Sequence, residues 1–438
     1  MQEYVNKIDT GVECLREVPA HWKIKRLKYL ATLNPSKSFL DKESEELVTF
    51  LPMENVSDKG QIDSSKKRQI CDVYSGFTCF SKGDVILAKI TPCFENGKGA
   101  LLDNMDTEIG FGSTEFHVLR AREDISDKFL FYITKSHSFM ELGEAFMTGA
   151  AGQKRVPTDF IANYLVASPP LKEQQLITDY LDKKIFEIDS LIACKEQLLK
   201  LYAEEKIAIT NDAVSKGLKK NTKLINSGIE WLGEIPETWK TIKARYLFKI
   251  KKRIAGELGF DVLSITQKGI KVKNLERNDG QVASDYRKYQ LVEVGDFAMN
   301  HMDLLTGYID IAYRRGVTSP DYRVFAPIND EIVSEYYLLL FQLGYVRKIL
   351  YAFGRGAALF GRWRLPADEF NELKFPLPPI DEQREIVNFV KSERQRIDDK
   401  IENTKQIIKL QKEYRTALIS EAITGQFKVP ELVEKEFS

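Results

Sequence analysis

The chain is predicted to be an α/β (α+β) protein with two pseudo-symmetric, β-rich domains, each closed by a long helix. Three observations predict this. First, residues 169–189, PPLKEQQLITDYLDKKIFEID, return as 378–398, PPIDEQREIVNFVKSERQRID, with Pro169/Pro378, Glu173/Glu382, Gln174/Gln383 and Asp189/Asp398 each 209 apart. Second, residues 11–30, GVECLREVPAHWKIKRLKYL, return as 228–247, GIEWLGEIPETWKTIKARYL, with Pro19/Pro236, Trp22/Trp239 and Tyr29/Tyr246 each 217 apart. Third, apolar residues after each Pro-Pro recur three, four or seven apart between charged flanks, the pattern of a helical seam.

The 438 residues suffice for two or three domains with real cores. Lys plus Arg equals Asp plus Glu at 64 each, so any nucleic-acid surface has to be a local basic face. The five cysteines, Cys14, Cys71, Cys79, Cys93 and Cys194, all lie in the first half without a CxxC pair, which reads as free thiols in a reducing cytoplasm. The polar N-terminus lacks a signal-peptide core, and the longest apolar run, 336–346, is too short to span a bilayer. The expected location is cytoplasmic, without membrane contact.

In chain order, the opening phrase reads as a loop leading into a short helix, its Pro and Trp pinning the loop to the domain. Base stacking by the Trp residues is the competing reading. Strand-like runs follow at 47–53, 77–80, 84–90 and 115–121, answered by 260–266, 296–302, 308–314 and 321–327. Here the offsets drift: Gly83-Asp84 matches Gly295-Asp296 at 212, while Ser113 and Phe116 match Ser319 and Tyr322 at 206. Drifting offsets mean loop changes on a shared fold, and loops are where recognition varies.

A helix is predicted over 128–146 and over 336–353. Each is followed by a glycine-rich basic loop without acids, TGAAGQKRVP (148–157) and GRGAALFGRWRLP (354–366). Gln153, Lys154 and Arg155 mark the first; Arg355, Arg362 and Arg364 mark the second. Gly permits close backbone approach to phosphate, and Arg binds phosphate or guanine edges bidentately. The plainer reading is a solvated loop, weakened by its recurrence at the same place. Further basic candidates are Lys89, Asn96 and Lys98 between two strands, Arg314 and Arg315 at a strand end, and Asn300 with His301 in AMNHMD. KIKKR (249–253) faces either phosphate or water. A short strand-like run then reaches each Pro-Pro.

The first long helix is expected from Leu171 to about Val214. Its seam carries Ile177, Leu181, Ile188, Ile192 and Leu199, and that of the second carries Ile386, Val390, Ile397, Ile401 and Ile408. Two seams in one chain make an antiparallel coiled-coil pair the economical arrangement, although the 150 intervening residues also allow a parallel one. The expected division is 1–168 and 220–377 for the β-rich domains, 169–219 and 378–428 for the helices, and 429–438 for a tail.

No P-loop occurs. SPPL (168–171) and LPPI (377–380) resemble a methyltransferase loop, but Ser168 and Leu377 replace its amide and both run straight into helices. His21, His117, His137 and His301 lack metal-ligand spacing. No catalytic, cofactor or metal site is expected.

The doubled order of P-x-x-W phrase, variable β-rich segment, Gly/Gln/basic loop, PP-[LI]-x-EQ and long helix resembles the specificity subunit of type I restriction-modification enzymes, over nearly the whole chain. The resemblance implies two target-recognition domains, each reading half of a split duplex DNA site. It implies helices that set the spacer and dock two modification (methyltransferase) subunits, with restriction subunits joining through those. It also implies a subunit without catalysis, S-adenosylmethionine residing on the modification partners. A coiled-coil protein adaptor without DNA readout is the alternative.

Overall fold

The computed structural model describes residues 2–12, 15, 17–150, 152–274, 285–356 and 363–430. The chain forms two compact units, Met1–Glu196 with Lys405–Ser438, and Gln197–Thr404.

In the first unit, strands Ala31–Leu33, Phe116–Ala121, Val85–Ala88 and Gly99–Leu101 form an antiparallel sheet in that order. Val85–Ala88 is buried along its whole length, as expected of an apolar run inside a sheet. Strands Lys67–Gln69, Leu47–Leu51, Ile109–Gly112 and Thr78–Ser81 form a second sheet, with Ile109–Gly112 parallel to Leu47–Leu51. A Cβ on Gly110 would lie 2.4 Å from the Phe80 ring, so this strand needs glycine there.

The second unit repeats the first sheet with Phe248–Lys251, Arg323–Pro327, Phe297–Met299 and Ile309–Ile311. Among the described residues the second sheet returns as two ribbons, Leu263–Thr266 with Gly269–Val272 and Gln290–Val292 with Gly316–Thr318, joined by a parallel bridge between Val262 and Val317. Its core is aromatic: Phe297 stacks on Phe325 at 4.9 Å, and Phe248, Phe341 and Phe370 pack around them.

The helix expected over 128–146 is two, Asp127–Thr134 and His137–Ala145. Ser126 and Ser136 each cap a start, their hydroxyls accepting from Phe129 and Phe139 N–H. The helix expected over 336–353 is Ser334–Val346, then a turn in which Lys348 takes φ +57°, then a 3-10 turn Leu350–Phe353. The strand-like runs before the Pro-Pro pairs are strands only at Leu165–Ser168 and Lys374–Leu377. Before them, Pro157 and Pro366 start short helices, Thr158–Asn163 and Ala367–Glu372, where a missing N–H costs nothing.

Leu165–Ser168 pairs with Lys23–Arg26, and Lys374–Leu377 with Lys240–Lys243. The two repeated phrases of each half therefore meet. Trp22 and Trp239 are each 3% exposed and donate to the motif glutamates, Trp22 Nε1 to Glu173 at 3.1 Å and Trp239 Nε1 to Glu382 at 3.2 Å. Pinning, not base stacking, is what both Trp residues do. Gln174 accepts from Ser126 N–H and donates to the Asp124 and Pro169 carbonyls. Gln383 likewise accepts from Val333 N–H and donates to the Pro378 carbonyl. The Glu-Gln pair thus bolts each helix start to its domain.

The long helices run Leu171–Lys216 and Ile380–Ile423. In the first unit Asp189 pairs with Arg415 and Glu196 with Lys412; in the second, Lys206 pairs with Asp398 and Thr210 accepts from Arg394. Partner numbers fall as helix numbers rise, so the pairing is antiparallel in each unit. Ile177, Leu181, Ile188, Ile192, Ile386, Val390, Ile397 and Ile408 are buried, while Leu199 and Ile401 are half-buried. Ile386 and Val390 belong to the core around Trp239, Tyr336 and Tyr337, so part of the predicted seam packs on the domain body. Gly217 and Gly425 end the helices at φ +72° and +69°. Added Cβ atoms would lie 3.1 Å from Trp239 and 2.4 Å from Pro19, respectively.

Candidate nucleic-acid interface

In the first unit the strand Val85–Ala88 delivers Lys89 to a strand end, where its carbonyl accepts from Val156 N–H at 2.8 Å. Ile90 and Thr148 both bridge to Arg155, so the basic loop is stitched to that strand end. The Arg155 guanidinium forks onto Glu115 at 2.8 and 2.9 Å, which holds the Glu115 carboxyl below its usual pKa. Lys154 and Gln153 are exposed, and Thr91 Oγ1 accepts from Lys154 N–H at 3.0 Å. Below the loop His117 is 4% exposed and its Nε2 meets the Val156 carbonyl at 2.9 Å. A carbonyl accepts only, so Nε2 carries the proton. Burial pushes the His117 pKa down, keeping the ring neutral.

The second unit repeats this frame with different side chains. The His301 carbonyl accepts from Leu365 N–H at 3.0 Å, and Arg355 and Arg364 bridge each other through backbone. Arg323, 6% exposed, donates Nη2–H to the Leu365 carbonyl at 2.8 Å and lies over the Phe370 ring. Burial lowers the Arg323 pKa to about 10, leaving it charged at neutral pH. His301, Arg323, Arg355 and Arg364 line a cleft of about 610 Å³ with Lys251 and Lys252, so the KIKKR run does face this cleft. Arg355 is paired with Glu369, whereas Arg364 is exposed and makes no ion pair with a described residue.

Asn300 follows the strand Phe297–Met299, and His301 enters a turn in which its N–H donates to the Met299 carbonyl at 3.0 Å. Asn300 lines a neighbouring cavity of about 430 Å³ with Tyr286, Tyr289 and Tyr322. Arg314 is ion-paired with Asp261 and Arg315 with Glu293, as Arg155 is with Glu115, but neither Arg314 nor Arg315 lines these two cavities. Arg362 lies outside the described residues, as does Cys14. In the first unit Lys98 donates to the Met53 carbonyl, and Asn96 lines a cavity of about 570 Å³ with Lys135, Asp189 and Arg415. The structure therefore places Asn96 against the long helices, apart from Lys89 and Arg155, because the loop after Pro92 turns back on itself.

His117 and Arg323 were missed in sequence as parts of this frame. The signal was there: the 206 offset of Ser113 and Ser319 carries His117 to Arg323, and the 212 offset of Asp84 and Asp296 carries Lys89 to His301. Among the described residues no group of three His, Cys, Asp or Glu could hold a metal ion, and no helix is long and apolar enough to cross a membrane. Cys71, Cys79, Cys93 and Cys194 are free thiols.

Burial, then Arg323 and Arg364, press the His301 pKa from 6.5 to about 4. The neutral ring is thus the form the fold favours. Its contribution is complete above the unfolded value of about 6.5 and is lost as pH falls from there through about 4. His117 acts in the same direction. The urea midpoint is expected to drop between pH 7 and pH 4.5, and to drop less in His301→Gln. An equal drop in the variant would remove His301 from this account.

The family described as type I restriction modification DNA specificity domain matches residues 19–200 and 236–412. The chain is 43% identical over 165 residues to the type I restriction enzyme EcoAI specificity subunit of Escherichia coli, 37% of this chain and 27% of that one. It is 37% identical over 179 residues to the EcoEI specificity subunit of the same organism, 40% of this chain and 30% of that one. These two matches thus span less than a third of each relative. The MjaVIII specificity subunit of Methanocaldococcus jannaschii is 24% identical over 449 residues, 95% of each chain. Two solved structures share the fold at 17% identity. The HsdS subunit from Thermoanaerobacter tengcongensis has a TM-score of 0.58, over 94% of this chain and 98% of that one. A chain from a study of complex assembly and conformational transition of the type I R-M system has a TM-score of 0.67, over 94% and 99%. With both halves matched and both carrying the same bolted helix start, the chain belongs to the type I restriction-modification DNA specificity family.

Proposed function

We propose that this chain is the DNA-reading subunit of a type I restriction-modification complex, each β-rich domain reading one half of a split duplex site. One observation carries the reading: each unit presents a strand-end base and a loop arginine on the same backbone frame, Lys89 with Arg155 and His301 with Arg364, over otherwise different side chains. A shared frame with unlike side chains suits two readers of unlike sequences. Gln153, Lys154, Arg355 and Asn300 are the further contacts. Catalysis and S-adenosylmethionine belong to two modification subunits, through which restriction subunits join, in the cytoplasm where the DNA lies.

The modification subunits dock on the long helices. Most seam residues named above are interior, so docking falls to apolar side chains left exposed, among them Phe186, Leu410 and Tyr414 in the first unit and Leu201 and Phe389 in the second.

Arg364→Ala in the assembled methyltransferase complex is expected to weaken duplex binding about tenfold, the loss of one charged contact of ~1–3 kcal/mol. If Arg364 meets a phosphate, the salt slope falls by about one; if it meets a base, discrimination falls in one half-site. Titration with labelled duplex at several salt concentrations reads both, and unchanged affinity would sink the assignment.

The helices set the unread spacer. Four residues added within 190–205, with a matching four near Thr404 to keep the antiparallel register, add ~6 Å of helix. Genome-wide mapping of methylated adenines is expected to show both half-sites unchanged and the gap longer by about one to two base pairs. Altered half-sites would make the helices part of base readout.

A further inference from the structure

Val156 and Leu365 hold one position in two unlike halves, and each is gripped at both backbone groups. Val156 N–H donates to the Lys89 carbonyl and Leu365 N–H to the His301 carbonyl, at 2.8 and 3.0 Å. The Val156 carbonyl accepts from His117 and the Leu365 carbonyl from Arg323, at 2.9 and 2.8 Å. The gripped residue directly follows the loop arginine, Arg155 or Arg364. One residue therefore ties the strand-end base, the loop arginine and a buried polar side chain together.

His117 and Arg323 are almost wholly buried, at 4% and 6% exposed, and each directs a donor to a backbone carbonyl. Neither is a cheap core filler. His117 Nδ1 and Arg323 Nη1 are buried without a hydrogen-bond partner among the described residues, which costs stability. Each keeps one polar atom unpartnered in order to hold a single carbonyl with another. What the two have in common is the carbonyl they hold.

We infer that His117 and Arg323 are positioning residues, each setting the loop arginine of its own half against the strand-end base and thereby the discrimination of that half-site alone. The inference rests on the proposal that each domain reads one half-site. The two fail differently. If that proposal fails, the wild-type complex methylates no split site. If only the inference fails, the wild type does so and the variants below match it.

The experiment uses the full chain assembled with its modification subunits, scoring cognate against single-mismatch methylation separately for each half-site. His117→Gln places an amide N–H where Nε2–H stands, whereas the shorter His117→Asn falls short of Val156. His117→Asn is expected to lower discrimination in the first half-site about tenfold, the worth of one hydrogen bond, and His117→Gln to restore it. Arg323→Met is expected to do the same to the second half-site, with Arg323→Lys restoring most of it. In all four variants the other half-site keeps its wild-type ratio. Loss in both half-sites together, equal behaviour of Asn and Gln, or a folded Arg323→Met complex with wild-type discrimination would each overturn the assignment. Because the score is a cognate-to-mismatch ratio within one complex, a loss of folded protein alone lowers both rates together and leaves the ratio unchanged.

Discussion

Replacing Glu173 by leucine is expected to destabilise the first unit by about 3 kcal/mol, while Glu382→Leu costs the second unit only about 1–2 kcal/mol. The two carboxylates hold the same place in the repeated motif but differ in load. Glu173 is 8% exposed and accepts from Tyr4 Oη at 2.5 Å, His21 Nε2 at 2.8 Å and Trp22 Nε1 at 3.1 Å. Glu382 accepts from Trp239 Nε1 at 3.2 Å. Leucine removes the acceptor and leaves a buried indole N–H unsatisfied in both halves, with two further donors affected in the first. Glu173→Gln keeps an acceptor oxygen and is expected to cost about 1 kcal/mol. Urea unfolding of the four proteins tests the order. Equal losses for the two leucine variants would mean that helix packing, not the carboxylate, secures the junction.

Arg120→Leu is expected to cost about 3 kcal/mol, because it strands a buried carboxylate. Asp84 is 1% exposed; Arg120 Nε and Nη2 reach its two oxygens at 2.7 and 2.8 Å, and Ser81 N–H adds a third bond at 2.7 Å. Arg120 is partly exposed, so the loss comes from the carboxylate left behind rather than from the ion pair as such. Asp84→Asn in the Arg120→Leu background should therefore recover part of the stability, a double-mutant coupling of 1 kcal/mol or more. Additive losses would remove the pair from the account. The second unit keeps the carboxylate, Asp296, but brings its guanidinium from Arg253, just past the strand Phe248–Lys251. The requirement for a counter-charge is shared; the strand that supplies it is not.

Much of this molecule was legible in its sequence because the chain says most things twice. The repeated Pro-Pro-x-x-Glu-Gln and Pro-x-x-Trp phrases fixed two similar halves and two long helices, and the first helix, expected to about Val214, ends at Lys216. Periodicity was blunter where local chemistry ruled. Ser136 broke one expected helix in two, and Pro157 and Pro366 turned half of each strand-like run into a helix.

The candidate interface was half visible. Basic residues on glycine-rich loops stood out by composition, but composition does not say what a charge is paired with. Arg314 and Arg315 have acidic partners 53 and 22 positions away, Asp261 and Glu293, while Arg364 has none among the described residues. His117 and Arg323 looked unrelated because they are different residue types, and only the carbonyls they hold make them equivalent.

What the sequence determined by itself was periodicity and repetition, since a helix or strand period and a recurring phrase are written in consecutive residues. What only the tertiary structure decided was partnership: Trp22 with Glu173, Arg120 with Asp84, His117 with Val156. Hydrogen bonds and ion pairs act over about 3 Å, and one sequence does not record which residues, 36 to 151 positions apart here, the folded backbone brings that close.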